Sequence, residues 1–243
     1  MSEEPAAPST PATPGAEPPP AVPWRWTDAL LVLALVFLSG VVVLPLVESL
    51  GAYGNVALVI VSAILTAGLT IGVARKRYGD AARLLWGHRR PTALDALVGV
   101  AAAVAGYVGV TLIVVLLTAG GRAPEVQESL RQAAADPRTL PIMALGAVIL
   151  VPIAEELLYR GMLFQGLRDR YGRWPAIGLS GFVFGLLHVQ WGDLGGTLLL
   201  LAAFYPFGMW LAWLFDRRGS LVAPLVCHML YNGGNLALFL SGR

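Results

Sequence analysis

"TLPIMALGAVILVPIAEELLYRGMLFQGLRDR", residues 139–170, opens with sixteen uncharged residues, Thr139 to Ala154, and then breaks into EELLYRG at 155–161. An uncharged run of roughly 18 residues marks a membrane-spanning helix. This run reaches that length only if it continues through Glu155, Glu156 and Arg160. A charged side chain at the bilayer centre costs about 2.5–3.5 kcal/mol even on the mildest scales. Three of them within six residues must therefore face one another or a polar hollow.

The rest of the chain supplies the membrane context. Of its 243 residues 56% are hydrophobic and 13% charged, against about 25% charged in an ordinary soluble domain. Six further uncharged runs cover Ala29–Val47, Ser49–Ala74, Ala96–Gly121, Trp174–Gly192, Leu194–Phe215 and Gly219–Gly242. These predict an all-α, polytopic membrane protein with about seven transmembrane helices and its functional core in the last four. The net charge of +2 argues for no nucleic-acid partner. Its placement says more. Arg25, the cluster Arg75–Lys76–Arg77–Arg83–Arg89–Arg90, Arg168–Arg170–Arg173 and Arg217–Arg218 fall on alternate loops. Lys and Arg accumulate on cytoplasmic loops, so the pattern predicts a multi-pass protein of the cell membrane, its N-terminus cytoplasmic and its C-terminus outside.

The chain divides into three parts. Residues 1–23, rich in Pro, Ala, Ser and Thr, read as a disordered cytoplasmic tail, too poor in apolar surface to offset its ordering entropy. Residues 24–139 hold the N-terminal helices and a basic loop, and residues 140–243 the core. Trp24 and Trp26 read as interfacial anchors, and His88 as a solvated surface residue. Residues 122–138 show helical spacing suited to the outer interface. The single cysteine, Cys227, excludes an intramolecular disulfide and reads as packing.

Spacing places the polar groups of the core on defined helix faces. Glu156 and Arg160 stand four residues apart and share a face; Glu155 points about 100° away and needs a partner from another helix. His188 ends FVFGLLH, four residues after Phe184, so ring and imidazole lie together. His228 begins HMLYN, four residues before Asn232, with Asn235 three further on. The set contains what peptide-bond hydrolysis requires. A carboxylate removed from water binds a proton more tightly, which suits a general base. An imidazole orients the water, and donors on another helix stabilise the tetrahedral oxyanion.

EELLYRG fits EExxxR, FGLLH ends an FxxxH pattern and HMLYN fits HxxxN, in this order on successive spans. In this the chain resembles the CPBP family, the type II CAAX prenyl endopeptidase-like and bacteriocin-processing intramembrane proteases. The resemblance covers about residues 140–240. It implies an intramembrane endopeptidase acting on a membrane-associated or lipidated protein or peptide. It further implies that Glu155 activates water with help from His188, that His228 and Asn232 form the oxyanion site, and that Glu156 and Arg160 order the first helix. The preferred reading requires no cofactor. A zinc-dependent version of the same activity is the alternative, with Glu155, His188 and His228 as a three-ligand open site, although HExxH is absent. Two readings of other kinds remain. GLSG, residues 178–181, offers Ser180 as a rhomboid-type nucleophile, and a scaffold or transporter would use the buried charges without catalysis.

Overall fold

The computed structural model describes residues 20–48, 50–118, 136–189 and 194–241. Most of the expected tail, most of the interfacial helix expected over 122–138 and the first half of WGDLGG after His188 lie outside them. The described residues form seven helices: α1 (Trp26–Glu48), α2 (Ala52–Tyr78), α3 (Ala93–Thr118), α4 (Leu140–Tyr171), α5 (Arg173–Leu186), α6 (Leu194–Arg218) and α7 (Val222–Ser241). A 3-10 segment, Gly79–Trp86, follows α2. Each uncharged run of the sequence corresponds to one helix, because backbone polar groups in lipid must be paired within the segment itself.

Five helices are long and apolar enough to cross a bilayer, those built on α1, α2, α3, α4 and α6. The other two depart from the expectation for physical reasons. Helix α5 has 14 residues and is about 21 Å long at 1.5 Å per residue, short of the roughly 30 Å hydrocarbon core. Helix α7 has 20 residues, but His228, Asn232 and Asn235 dilute its apolarity.

Basic residues gather at one end of the bundle, where ion pairs tie neighbouring helices. Asp28 at the start of α1 pairs with Arg77 at the end of α2. Asp95 at the start of α3 holds Arg218 at the end of α6, 2.6 Å apart. Arg173 at the start of α5 meets Asp216 of α6 at 2.8 Å. Val22 donates its backbone N–H to Asp169.

Two expectations at this end are corrected. Trp24 is no interfacial anchor: it is 3% exposed and packs against Tyr78 at a ring separation of 6.2 Å. Neither is His88 a freely solvated residue. Its half-buried ring lies over the Gly219 turn, which adopts φ 64° and has no side chain to obstruct it. Burial pushes the His88 pKa down, Arg168 and Arg89 push the same way, and Asp216 opposes them.

Helix α4 runs longer than the charge pattern implies, and this levels the site. On spacing, His188 falls deeper in the membrane than Glu155. In the structure α4 continues through Arg160 to Tyr171, and Gly172, at φ 83°, turns the chain directly into α5. Glu155 then lies 17 residues before Gly172 (172 − 155) and His188 16 residues after it (188 − 172). Both stand about 25 Å from the turn.

Candidate active site

Helix α4 is not uniform. Stretches of π-helix at Gly146–Leu150 and Leu157–Phe164 bracket the α-helical Val151–Glu156 that carries both glutamates. Each π turn inserts a residue and frees main-chain carbonyls. Gln165 donates to the Gly161 carbonyl at 2.7 Å and to that of Leu84 at 2.8 Å, tying α4 to the 3-10 segment. Gly161 permits this approach, since a Cβ there would stand 2.5 Å from the Leu85 oxygen.

Glu156 and Arg160 pair as their spacing requires, at 2.9 Å, with side chains 0% and 1% exposed. Arg160 is held three further ways. It donates to the Gly208 carbonyl of α6 at 3.1 Å. Its guanidinium carbon lies 4.7 Å above the Phe184 ring and 5.8 Å from that of Tyr159. Gly208 reaches it because α5 and α6 pack backbone to backbone: a Cβ on Gly208 would stand 3.0 Å from the Gly181 Cα. Small residues allow this contact between membrane helices.

Glu155, as expected, finds its partners on other helices. Its Oε1 lies 3.7 Å from Nε2 of His188, just past the end of α5, and its Oε2 lies 3.7 Å from Nε2 of His228 on α7. Both distances exceed a direct hydrogen bond. Its Oε2 is buried without a hydrogen-bond partner among the described residues.

The far nitrogens of the two imidazoles set their protonation. Nδ1 of His188 lies 2.7 Å from the Phe184 carbonyl, which can only accept, so Nδ1 carries a proton. Nδ1 of His228 lies 2.9 Å from Oε1 of Glu156 and donates to that carboxylate. In the neutral tautomer each ring therefore turns a bare Nε2 lone pair toward Glu155. His188 is sandwiched between Phe184 and Phe204, at ring separations of 4.3 and 4.7 Å. Phe207 sets its edge against His228 at 5.7 Å.

Five of the six residues singled out from the sequence thus meet in one cluster: Glu155, Glu156, Arg160, His188 and His228. Asn232 stands one turn along α7 and donates to the Ala147 carbonyl of α4 at 2.9 Å. Asn235 donates to Tyr231 of its own helix. Ser180 is buried and bonds the Ile177 carbonyl of its own helix, beside glycines that seat α5 on α6, which is a packing role. Sequence reasoning passed over Phe204 and Gly208, which contribute a ring face and a carbonyl and carry no motif. Pro152 and Gln165 were readable signals, a proline and a carboxamide inside a predicted span.

Two imidazoles and a carboxylate have the donor chemistry of a zinc site. Among the described residues, however, no group of three His, Cys, Asp or Glu side chains is disposed to hold a metal ion. As arranged, the three residues do not fit one.

Comparison with known proteins points to the same segment. Residues 137–234 match the family described as Type II CAAX prenyl endopeptidase Rce1-like. CAAX prenyl protease 2 of Homo sapiens is 30% identical over 97 residues, covering 35% of this chain and 30% of that protein. The putative membrane peptidase YdiL of Bacillus subtilis (strain 168) is 28% identical over 95 residues, covering 39% of this chain and 36% of that protein. The match thus spans about a third of the length of each of these relatives. No solved structure matches the chain. All six motif residues fall inside the matched segment, and it is over residues 137–234 that the chain is similar to the Rce1-like CAAX prenyl endopeptidases.

Proposed function

We propose that the protein is a CAAX-type intramembrane endopeptidase that hydrolyses a peptide bond in a membrane-associated or lipidated protein or peptide. The observation that carries this reading is the pair of 3.7 Å gaps between the Glu155 carboxylate and two bare imidazole nitrogens. A polar separation of that size calls for a water between the groups. Glu155 takes the proton of this water as it attacks the scissile carbonyl, while His188, its tautomer fixed by the Phe184 carbonyl, orients the attack. Glu155 then passes the proton to the departing amine. The oxyanion forms beside Nε2 of His228, which donates in the imidazolium form, its extra proton taken up from solvent before the attack and kept throughout, and which is backed through Nδ1 by the Glu156–Arg160 pair. Asn232 gives one amide hydrogen to Ala147 and has a second to offer. A scaffold or relay needs no such convergence of base, imidazoles and a fixed ion pair.

General-base catalysis contributes about 10²–10⁴-fold. Glu155→Gln should therefore lower the cleavage rate of a lipidated peptide by purified protein at least a hundredfold, with an unchanged melting profile. Retention of full activity by that variant would sink the mechanism. The zinc-dependent version is favoured by its donor chemistry alone, and it requires that a chelator abolish the wild-type activity.

We also place the N-terminus on the cytoplasmic side and the C-terminus outside, because the ion-paired end of the bundle is the basic one. Labelling from one side of sealed cells tests this, as set out below.

A further inference from the structure

Where the first π stretch of α4 rejoins α-helix, the Val151 N–H bonds the Gly146 carbonyl five residues back. That bond bypasses Ala147. The next donor in the same register would be the N–H of residue 152, and residue 152 is proline, which has none. The Ala147 carbonyl thus receives no hydrogen from its own helix on either side of the step. The amide of Asn232, 85 positions away on α7, supplies one at 2.9 Å. Pro152 is buried and lies one turn before Glu155 and Glu156.

We infer that Asn232 is a positioning residue: its amide caps the carbonyl that Pro152 leaves unpaired and so fixes the widened turn that leads into the α-helical segment carrying both glutamates. Proline and asparagine form one device, the first opening the ladder and the second closing it from the neighbouring helix. The same hydrogen bond ties α7, which carries His228, to α4, which carries Glu155, one turn along from where those two side chains face each other. The bearing on catalysis rests on the proposed endopeptidase activity; the capping itself does not.

Because the pairing makes each residue's effect depend on the other, a cycle of four proteins tests it: wild type, Asn232→Ala, Pro152→Ala and the double variant, purified in detergent. The first readout is thermal melting, which needs no substrate. Loss of one such part-buried hydrogen bond in a chain of this size corresponds to about 2–4 °C. Asn232→Ala should lower the midpoint by that amount in the wild-type background. In the Pro152→Ala background the loss should shrink to less than half, since an alanine at that position restores the missing N–H. Asn232→Asp keeps the shape without the donor and should follow the same pattern, which covers the case in which the alanine variant does not fold.

The second readout is turnover. Asn232→Ala should lower kcat about tenfold with little change in KM, and adding Pro152→Ala should recover at least half of that loss on a logarithmic scale. Equal melting losses in both backgrounds would overturn the capping role. Rescue of melting without rescue of kcat would overturn the positioning role and leave the second amide hydrogen of Asn232, the one free to face the oxyanion, as its whole part in catalysis. If no variant, wild type included, cleaves anything, the endopeptidase reading fails while the melting cycle still decides the cap.

Discussion

At the scale of single residues, the Glu156 carboxylate serves two partners at once. Its Oε1 accepts from Arg160 and from His228, both at 2.9 Å. Removing it leaves a guanidinium buried without a counter-charge, and breaking a buried pair from one side costs about 3–5 kcal/mol. Glu156→Gln should therefore lower the melting midpoint strongly, whereas Glu155→Gln, at a side chain 18% exposed and facing no fixed cation, should not. A Glu156→Gln protein as stable as wild type would contradict the arrangement. This division of labour was legible in the sequence, because the (i, i+4) spacing of Glu156 and Arg160 leaves Glu155 over. The FxxxH spacing likewise put Phe184 beside His188. The second half of that sandwich, Phe204, was not legible, since it depends on how α6 packs against α5 and no local rule fixes that.

At the scale of elements, lipid made the helices easy to find: a span admits few charges, so seven uncharged runs became seven helices. Their ends were harder to place. The stretch after Arg160 that leads to Arg168 and Arg170 reads as a cytoplasmic loop by charge, yet Met162, Leu163, Phe164 and Leu167 are buried and α4 continues through them. Composition could not anticipate this, because the 3-10 segment that covers them is itself held by a carboxamide and a missing side chain at Gly161. The gap in depth that spacing leaves between Glu155 and His188 closes for the same reason, since α5 begins at Arg173 directly after the Gly172 turn. Helix α5 carries His188 at its far end and is too short for an average bilayer; a short element is accommodated by local thinning. Cleavage in vesicles of short-chain phosphatidylcholine should therefore run several-fold faster than in long-chain vesicles. Rates independent of chain length would show that α5 is shielded from lipid by its neighbours.

At the scale of the whole molecule, the basic end is a web of arginine–aspartate contacts with one titratable base inside it. His88 is harder to protonate in the folded protein than in the unfolded chain, whose histidine titrates near 6.5. As pH falls through that value the unfolded chain takes up the proton first, so stability from this group is complete above about pH 7 and declines below it. Between pH 7.5 and 5.5 the melting midpoint should fall more for wild type than for His88→Gln. Parallel curves would remove His88 as the cause.

The chain's only thiol, Cys227, is completely enclosed. The native protein is thus chemically silent toward sulfhydryl reagents, and any newly installed cysteine becomes its sole reporter. Arg90→Cys at the basic end and Ser241→Cys at the last described turn of α7 are both solvent-facing positions. Treated in intact cells with a reagent that cannot enter, the second should be tagged and the first spared. The reverse pattern would turn the molecule over in its bilayer.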